Sequence, residues 1–175
     1  MITFILISCF QKKVEKKRNI SKIIFATGGC YGKCPYTAVE IDSSLTFKFY
    51  GGEYSDVKGY FKGIVSEEIW DSLNLKLEGI NFTQLDSSYE KSIDDLATEM
   101  IVYYGKQRKH VRGQSASLPD SVMTFYNWLM NLHKRVRLKP ITEKEISLET
   151  SIQIQSLAPP PLIQDDVKFI PPEIQ

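Results

Sequence analysis

Three observations predict an α+β domain: a mainly antiparallel sheet with two helices packed on one face. Strand patterns come in groups, in the order strands, helix, two strands, helix, whereas a doubly wound fold alternates single strands with single helices. Between residues 36 and 50 apolar and polar side chains alternate, as they do in antiparallel strands with one buried face. Two later stretches, opening at Ser66 and Ser117, carry apolar residues at helical spacing.

Taken in order, Ile23-Ile24-Phe25-Ala26 is an apolar run closed by Gly28-Gly29, which predicts a buried strand entering a turn. Thr37, Val39 and Ile41 then alternate with Tyr36, Ala38 and Glu40. After Asp42-Ser43-Ser44 the pattern resumes as Leu45, Phe47 and Phe49 against Thr46, Lys48 and Tyr50, a β-hairpin. Val57 to Val65 reads as a third antiparallel member, with twist or a bulge at Gly59 and Gly63. Ser66 is a good N-cap, Glu67 and Glu68 complement the helix dipole, and Ile69, Trp70, Leu73, Leu77 and Ile80 follow at helical spacing. Met100, Val102 and Tyr104 lead into Gly105-Lys106 and a returning strand through Arg108, His110 and Arg112. Ser117-Leu118-Pro119-Asp120 matches a capping box, and Val122, Phe125, Leu129, Leu132 and Val136 form one helical stripe.

Four segments follow from this reading: a signal remnant over 1–9, a basic tether over 10–20, the α+β domain over 21–137 and a tail over 138–175. At 42% apolar and 25% charged residues, the chain has the composition of an ordinary globular protein. A net charge of +1 and a pI near 7.6 argue against a dedicated nucleic-acid binder, so nucleic acid is not an expected partner. In the tail, Ile146, Leu148, Thr150, Ile152 and Ile154 alternate with polar residues, a pattern for one strand added to the sheet or to a protein partner's edge. Pro159-Pro160-Pro161 and Pro171-Pro172 stop regular structure.

At the other end, Leu6-Ile7-Ser8-Cys9 matches the cleavage-site pattern of bacterial lipoproteins. The apolar stretch from Met1 to Phe10 is far short of the roughly 20 residues that cross a bilayer, and no Lys or Arg precedes it. Lipidation at Cys9 would anchor the chain to a membrane of the bacterial cell envelope, facing outside the cytoplasm, with the basic run from Gln11 to Arg18 beside anionic headgroups.

Cys30-Tyr31-Gly32-Lys33-Cys34-Pro35, a Thr-x-Val-x-Ile strand, a hairpin, the Ser-Glu-Glu helix, Phe82-x-x-Leu85 and Asp95 together resemble the bacterial family known only as domain of unknown function 6438. The similarity runs from about Ile23 to Leu132; it departs at Thr37, where the family usually has tyrosine, and at Ala97, where it often has proline. The resemblance implies a secreted or lipid-anchored α+β domain and supplies no activity.

Fully extended, the Cys30–Cys34 span would hold the two Cα atoms beyond the 7 Å limit of a disulfide, so bonding requires a turn, which Gly32 permits. In an exported protein a structural disulfide is the first expectation, and for so short a loop it contributes about 2 kcal/mol. A thiol-redox enzyme using the same pair is the sharper alternative. It is disfavoured because the spacing is C-x-x-x-C and Pro35 leads into a strand. Zinc would need His110 and His133 at no recognised ligand spacing, so no metal or other cofactor is expected. Gly32-Lys33 fails as a phosphate loop because Cys34 replaces the magnesium-binding hydroxyl, and Ser115 lacks the closing glycine of a hydrolase elbow. The acid pairs Glu67-Glu68, Asp94-Asp95 and Asp165-Asp166 read as helix start, loop and tail. No catalytic residue is assigned, and the expected role is binding or accessory. The remaining candidate surface is basic: Lys106, Arg108, Lys109 and Arg112 with His110 on one hairpin, and Lys134, Arg135 and Arg137 at the second helix end. If these converge they would bind an anionic glycan, lipid or nucleic acid; a solvated edge is the plainer account.

Overall fold

In the computed structural model residues 19–91, 94–143 and 148–152 are described. The apolar run becomes β1 (Ile20–Thr27), the centre of an eight-stranded sheet. The hairpin is β2 (Thr37–Asp42) and β3 (Thr46–Gly51), followed by β4 (Gly59–Ile64). Helix α1 (Glu67–Gly79) leads to a short β5 (Ser88–Tyr89), then to β6 (Ala97–Tyr104) and β7 (Gln107–Gln114). Helix α2 (Asp120–Met130) and β8 (Lys139–Ile141) complete the fold. The sheet order is β5-β7-β6-β1-β2-β3-β4-β8, antiparallel throughout except that β5 runs parallel to β7.

The expected α+β architecture holds, and alternation explains it. Ile23 and Phe25 of β1, Val39 and Ile41 of β2, Phe47 and Phe49 of β3, Met100 and Val102 of β6 and Val111 of β7 form one apolar face. Against that face lie Ile69, Leu73 and Leu77 of α1 and Val122, Phe125, Tyr126 and Leu129 of α2. Burying each such side chain stabilises the fold by roughly 1.5–3 kcal/mol before chain entropy is counted. The Tyr126 ring sits 4.8 Å from that of Phe25, and burial pushes its phenol pKa up.

Local signals place the helices. Ser66 caps α1 by accepting the amide of Ile69 at 3.4 Å, with Glu67 and Glu68 in the first turn. The second helix starts later than its capping box predicts: Pro119 is the N-cap, and its carbonyl accepts the amides of Val122 and Met123. Ser117 lies in a preceding 3-10 turn, where its hydroxyl accepts the amide of Lys91 at 3.0 Å. At the β6–β7 hairpin Gly105 takes φ 56°, a left-handed geometry that glycine adopts without strain.

Two differences concern the chain beyond the second helix. Lys139-Pro140-Ile141, which the sequence reading places in the tail, forms β8 on the sheet edge beside β4. Proline is tolerated there because an edge strand needs no second ladder partner. Among the described residues the alternating tail adds no strand: 148–152 is non-strand and crosses the sheet's second face, while Ile146 and Ile154 lie outside the described residues. Thr150 accounts for the local shape, since its amide donates to the Leu148 carbonyl at 3.0 Å and its hydroxyl accepts the Ile152 amide at 3.1 Å. Such local bonds compete with extended pairing. Cys9, residues 10–18 of the basic tether and the proline-rich end also lie outside the described residues, while Ile20, placed in the tether by the sequence reading, opens β1 because its side chain is buried in the core.

Candidate functional site: the stapled loop and the second sheet face

The loop from 28 to 36 joins β1 to β2, and Cys30 and Cys34 are disulfide-bonded with their Cα atoms 5.8 Å apart. The turn that bonding requires is therefore made. It is reinforced where the amide of Gly32 meets Cys30 Sγ at 3.2 Å. The base of the loop is tied by Thr27, a residue sequence reasoning did not single out. Its hydroxyl donates to the Pro35 carbonyl at 2.6 Å and accepts the Thr37 amide at 3.1 Å. Tyr36 closes over Gly29, where an added Cβ would lie 2.2 Å from the phenol oxygen.

Both acids of the Asp94-Asp95 pair meet this end of the sheet. Asp94 accepts the amide of Tyr31 at 2.7 Å, and Asp95 accepts those of Leu96 and Ala116. A hydrogen bond from Ser115 and, against it, burial, with those two amides, leave the Asp95 carboxyl below its ordinary pKa. Ser115 thus lies beside Asp95. A shallow cleft of roughly 340 Å³ opens between Cys30, Tyr31, Asp94, Asp95 and Gln114. The Tyr31 side chain stands 90% exposed at its rim, and Gln114 Oε1 is buried with no hydrogen-bond partner among the described residues.

The second sheet face is built around Glu99 of β6, a carboxylate 1% exposed. It accepts the Ser151 amide at 2.8 Å, the Ser151 hydroxyl at 2.6 Å and the Thr150 hydroxyl, while His110 Nε2 lies 2.7 Å away. Burial alone would push its pKa up. The donors outweigh that cost and hold it at about 2. One residue earlier in the tail, Glu149 accepts from the Tyr103 phenol and faces Lys22 and Arg108 at 3.6 Å each. Leu148 and Ile152 pack on Ala26, Ala38 and Tyr50, with the rings of Tyr50 and Tyr60 4.8 Å apart.

The basic hairpin divides between the two faces, with Arg108, His110 and Arg112 together on the second and Lys109 on the first. Strand alternation sends Lys109 to the helix side, where its ammonium donates to the Leu85 carbonyl. Arg108 is engaged with Glu149 and Tyr103, His110 with Glu99, Arg112 stands across from Glu99 in the strand register, and Lys106 occupies the exposed turn. The second helix stops at Met130, short of the stripe expected to reach Val136, because the chain tightens into a 3-10 turn over Leu132–Arg135; there Lys134 pairs with Asp56 at 3.0 Å, while buried His133 stacks on Phe49 and faces the same carboxylate. A separate basic cleft, not anticipated from the sequence, lies on the β4–β8 edge: roughly 510 Å³ lined by Lys62, Arg137 and Lys139 with Ile64 and Ile141. Its residues are far apart in sequence, and only the pairing of β8 brings them together. Among the described residues no group of three or more histidine, cysteine or acidic side chains is arranged to hold a metal ion, and no helix is long and apolar enough to cross a membrane.

A stapled loop on a mainly antiparallel sheet, with two helices on one face, defines an α+β domain with a disulfide at one end. The model of the family described as a domain of unknown function, DUF6438, matches residues 21–133, well over half of the chain. The chain belongs to that family. No curated protein matches it. The family match ends before the tail that covers Glu99.

Proposed function

We propose that this protein is a lipid-anchored, extracytoplasmic binding or accessory domain, held to the bacterial envelope through Cys9 and acting by contact, with no catalytic step of its own. The observation that carries the reading is the Cys30–Cys34 disulfide in a loop that presents Tyr31 to solvent. Disulfides persist in oxidising compartments, and a staple this short fixes a local surface more than it holds the fold. The Leu6-Ile7-Ser8-Cys9 pattern supplies the anchor, and the rigid exposed aromatic beside Asp94 supplies a contact surface.

Metabolic labelling with a clickable fatty acid, followed by membrane fractionation of wild type and Cys9→Ala, tests the anchor. Label and membrane association are expected in the wild type, with both lost in the variant. Alkylating the denatured protein with and without prior reduction tests the staple: two thiols should become reactive only after reduction. An unlabelled wild type, or freely alkylated Cys30 and Cys34, overturns the reading. Turnover of insulin disulfides by the purified domain would move it to the thiol-redox class.

A further inference from the structure

A buried carboxylate is tolerated only where donors replace the water it has lost. Three of the four donors at Glu99 come from Thr150 and Ser151, and they come from beyond the residues the family model covers. Among the described residues the domain itself contributes only His110. The floor around the carboxylate is also shaped for this occupant. Ala26 and Ala38 leave room for Leu148 and Ile152, and Gly28 lies so close that a Cβ there would sit 2.7 Å from Ile152 Cγ2. At the far side Lys22 and Arg108 receive the acidic residue that precedes the hydroxyl pair. The face thus holds one acceptor for adjacent hydroxyls and a backbone amide, two apolar seats and a basic flank, all presented by the domain and all filled from outside it.

We propose that the second sheet face is a peptide-recognition site, and that residues 148–152 occupy it as a displaceable stand-in for a partner protein's segment of the same chemistry. That chemistry is an aliphatic residue, an acid, two adjacent hydroxyl residues and an aliphatic residue. A peptide is favoured over a glycan because one donor to Glu99 is a backbone amide and two seats are apolar. Tethering gives the resident segment an effective concentration in the millimolar range, so an external segment binds only by displacing it. The inference specifies the binding half of the function proposed above and is independent of the anchor, so fractionation and peptide titration can each fail alone.

The test is fluorescence anisotropy with a labelled peptide spanning residues 146–154, titrated with the full chain after removal of any lipid anchor. Wild type should bind it weakly. The full-chain variant Thr150→Ala/Ser151→Ala, whose own segment has lost its side-chain donors, should bind at least about tenfold more tightly. Adding Glu99→Gln to that variant should remove most of the gain, and a peptide with both hydroxyl residues changed to alanine should not bind. Circular dichroism melts identify variants that fail to fold. For those, amide exchange in the wild type replaces the titration: the Ser151 amide should be protected and should lose protection when excess unlabelled peptide is added. Equal binding to wild type and the double-alanine variant, binding indifferent to Glu99, or a Ser151 amide that no excess of peptide deprotects would overturn the proposal. Displacement by a neutral oligosaccharide where the peptide fails would overturn it as well.

Discussion

The sheet's two faces are covered by different means. On one, α1 and α2 place a continuous apolar layer against Phe25, Val39, Phe49 and Met100. On the other, a five-residue segment rests on two alanines and a tyrosine and is fastened through one buried carboxylate. Apolar area provides affinity without direction, whereas a buried Glu99 with three tail donors specifies where the segment lies. The first face buries the main apolar core, and the second fixes one segment of the tail by directed polar bonds. Each half of that contrast can be broken by a measurement.

The largest effect belongs to the helix face. Leu73 of α1 and Leu129 of α2 are both fully buried among aromatic and aliphatic neighbours. Leu73→Ala or Leu129→Ala should each cost about 2–5 kcal/mol in urea unfolding, a large fraction of the stability of a domain this size. If either substitution costs less than about 1 kcal/mol, the helices do not provide the main core and the contrast between faces fails.

Acid should act on the second face. The Glu99 pKa is lowered from an ordinary value of 4.5 to about 2 in the folded protein. Its contribution is therefore fully present above about pH 4.5 and is lost as pH falls towards about 2, amounting to about 3 kcal/mol across that window. His110 of β7 faces the same carboxylate, and Lys22, Tyr103, Arg108 and Glu149 surround the adjoining part of the tail. Asp56 and Glu149 are also held low, Asp56 chiefly by Lys134 and Glu149 chiefly by the Tyr103 phenol, but both are half exposed and should add less. Urea midpoints measured from pH 5 to pH 2.5 should fall in the wild type and fall distinctly less in Glu99→Gln. Parallel profiles would remove the carboxylate from the account.

The helix face was legible in the sequence because its signals are local and repetitive. Val39, Ile41, Phe47 and Phe49 alternate with polar residues, and Leu73 and Leu77 recur at one helical turn, so each element declares its buried side by its own period. The cysteine staple was legible for a related reason, as its two residues are four apart. The second face was not. Glu99 meets Ser151 across 52 positions, and an acid between Thr98 and Met100 looks like any polar residue on a strand. The tail's alternation even misled, because the period-two pattern that predicts a strand also fits a segment turning on Thr150 to place Leu148 and Ile152 on one floor. Likewise the basic hairpin reads as one patch in sequence, yet alternation sends Lys109 and Arg108 to opposite faces.

The smallest effect on stability is the sharpest test of the contrast, because it touches only the second face. Gly28 lies just past β1, and a methyl group there would sit 2.7 Å from Ile152 Cγ2 and 3.7 Å from Ala97 Cβ. The second distance is an ordinary contact, whereas the first requires the Ile152 side chain to move. No helix residue is within 4 Å of that position, so the apolar core has nothing to give. Gly28→Ala should therefore change global unfolding by no more than about 0.5 kcal/mol, partly because alanine restricts the unfolded chain. Amide exchange at Ser151 should nevertheless quicken several-fold, since its bond to Glu99 depends on how the neighbouring Ile152 seats. A variant that loses core protection together with the tail would mean the two faces are one cooperative unit, and the segment over Glu99 would then be as integral to the fold as α1 and α2.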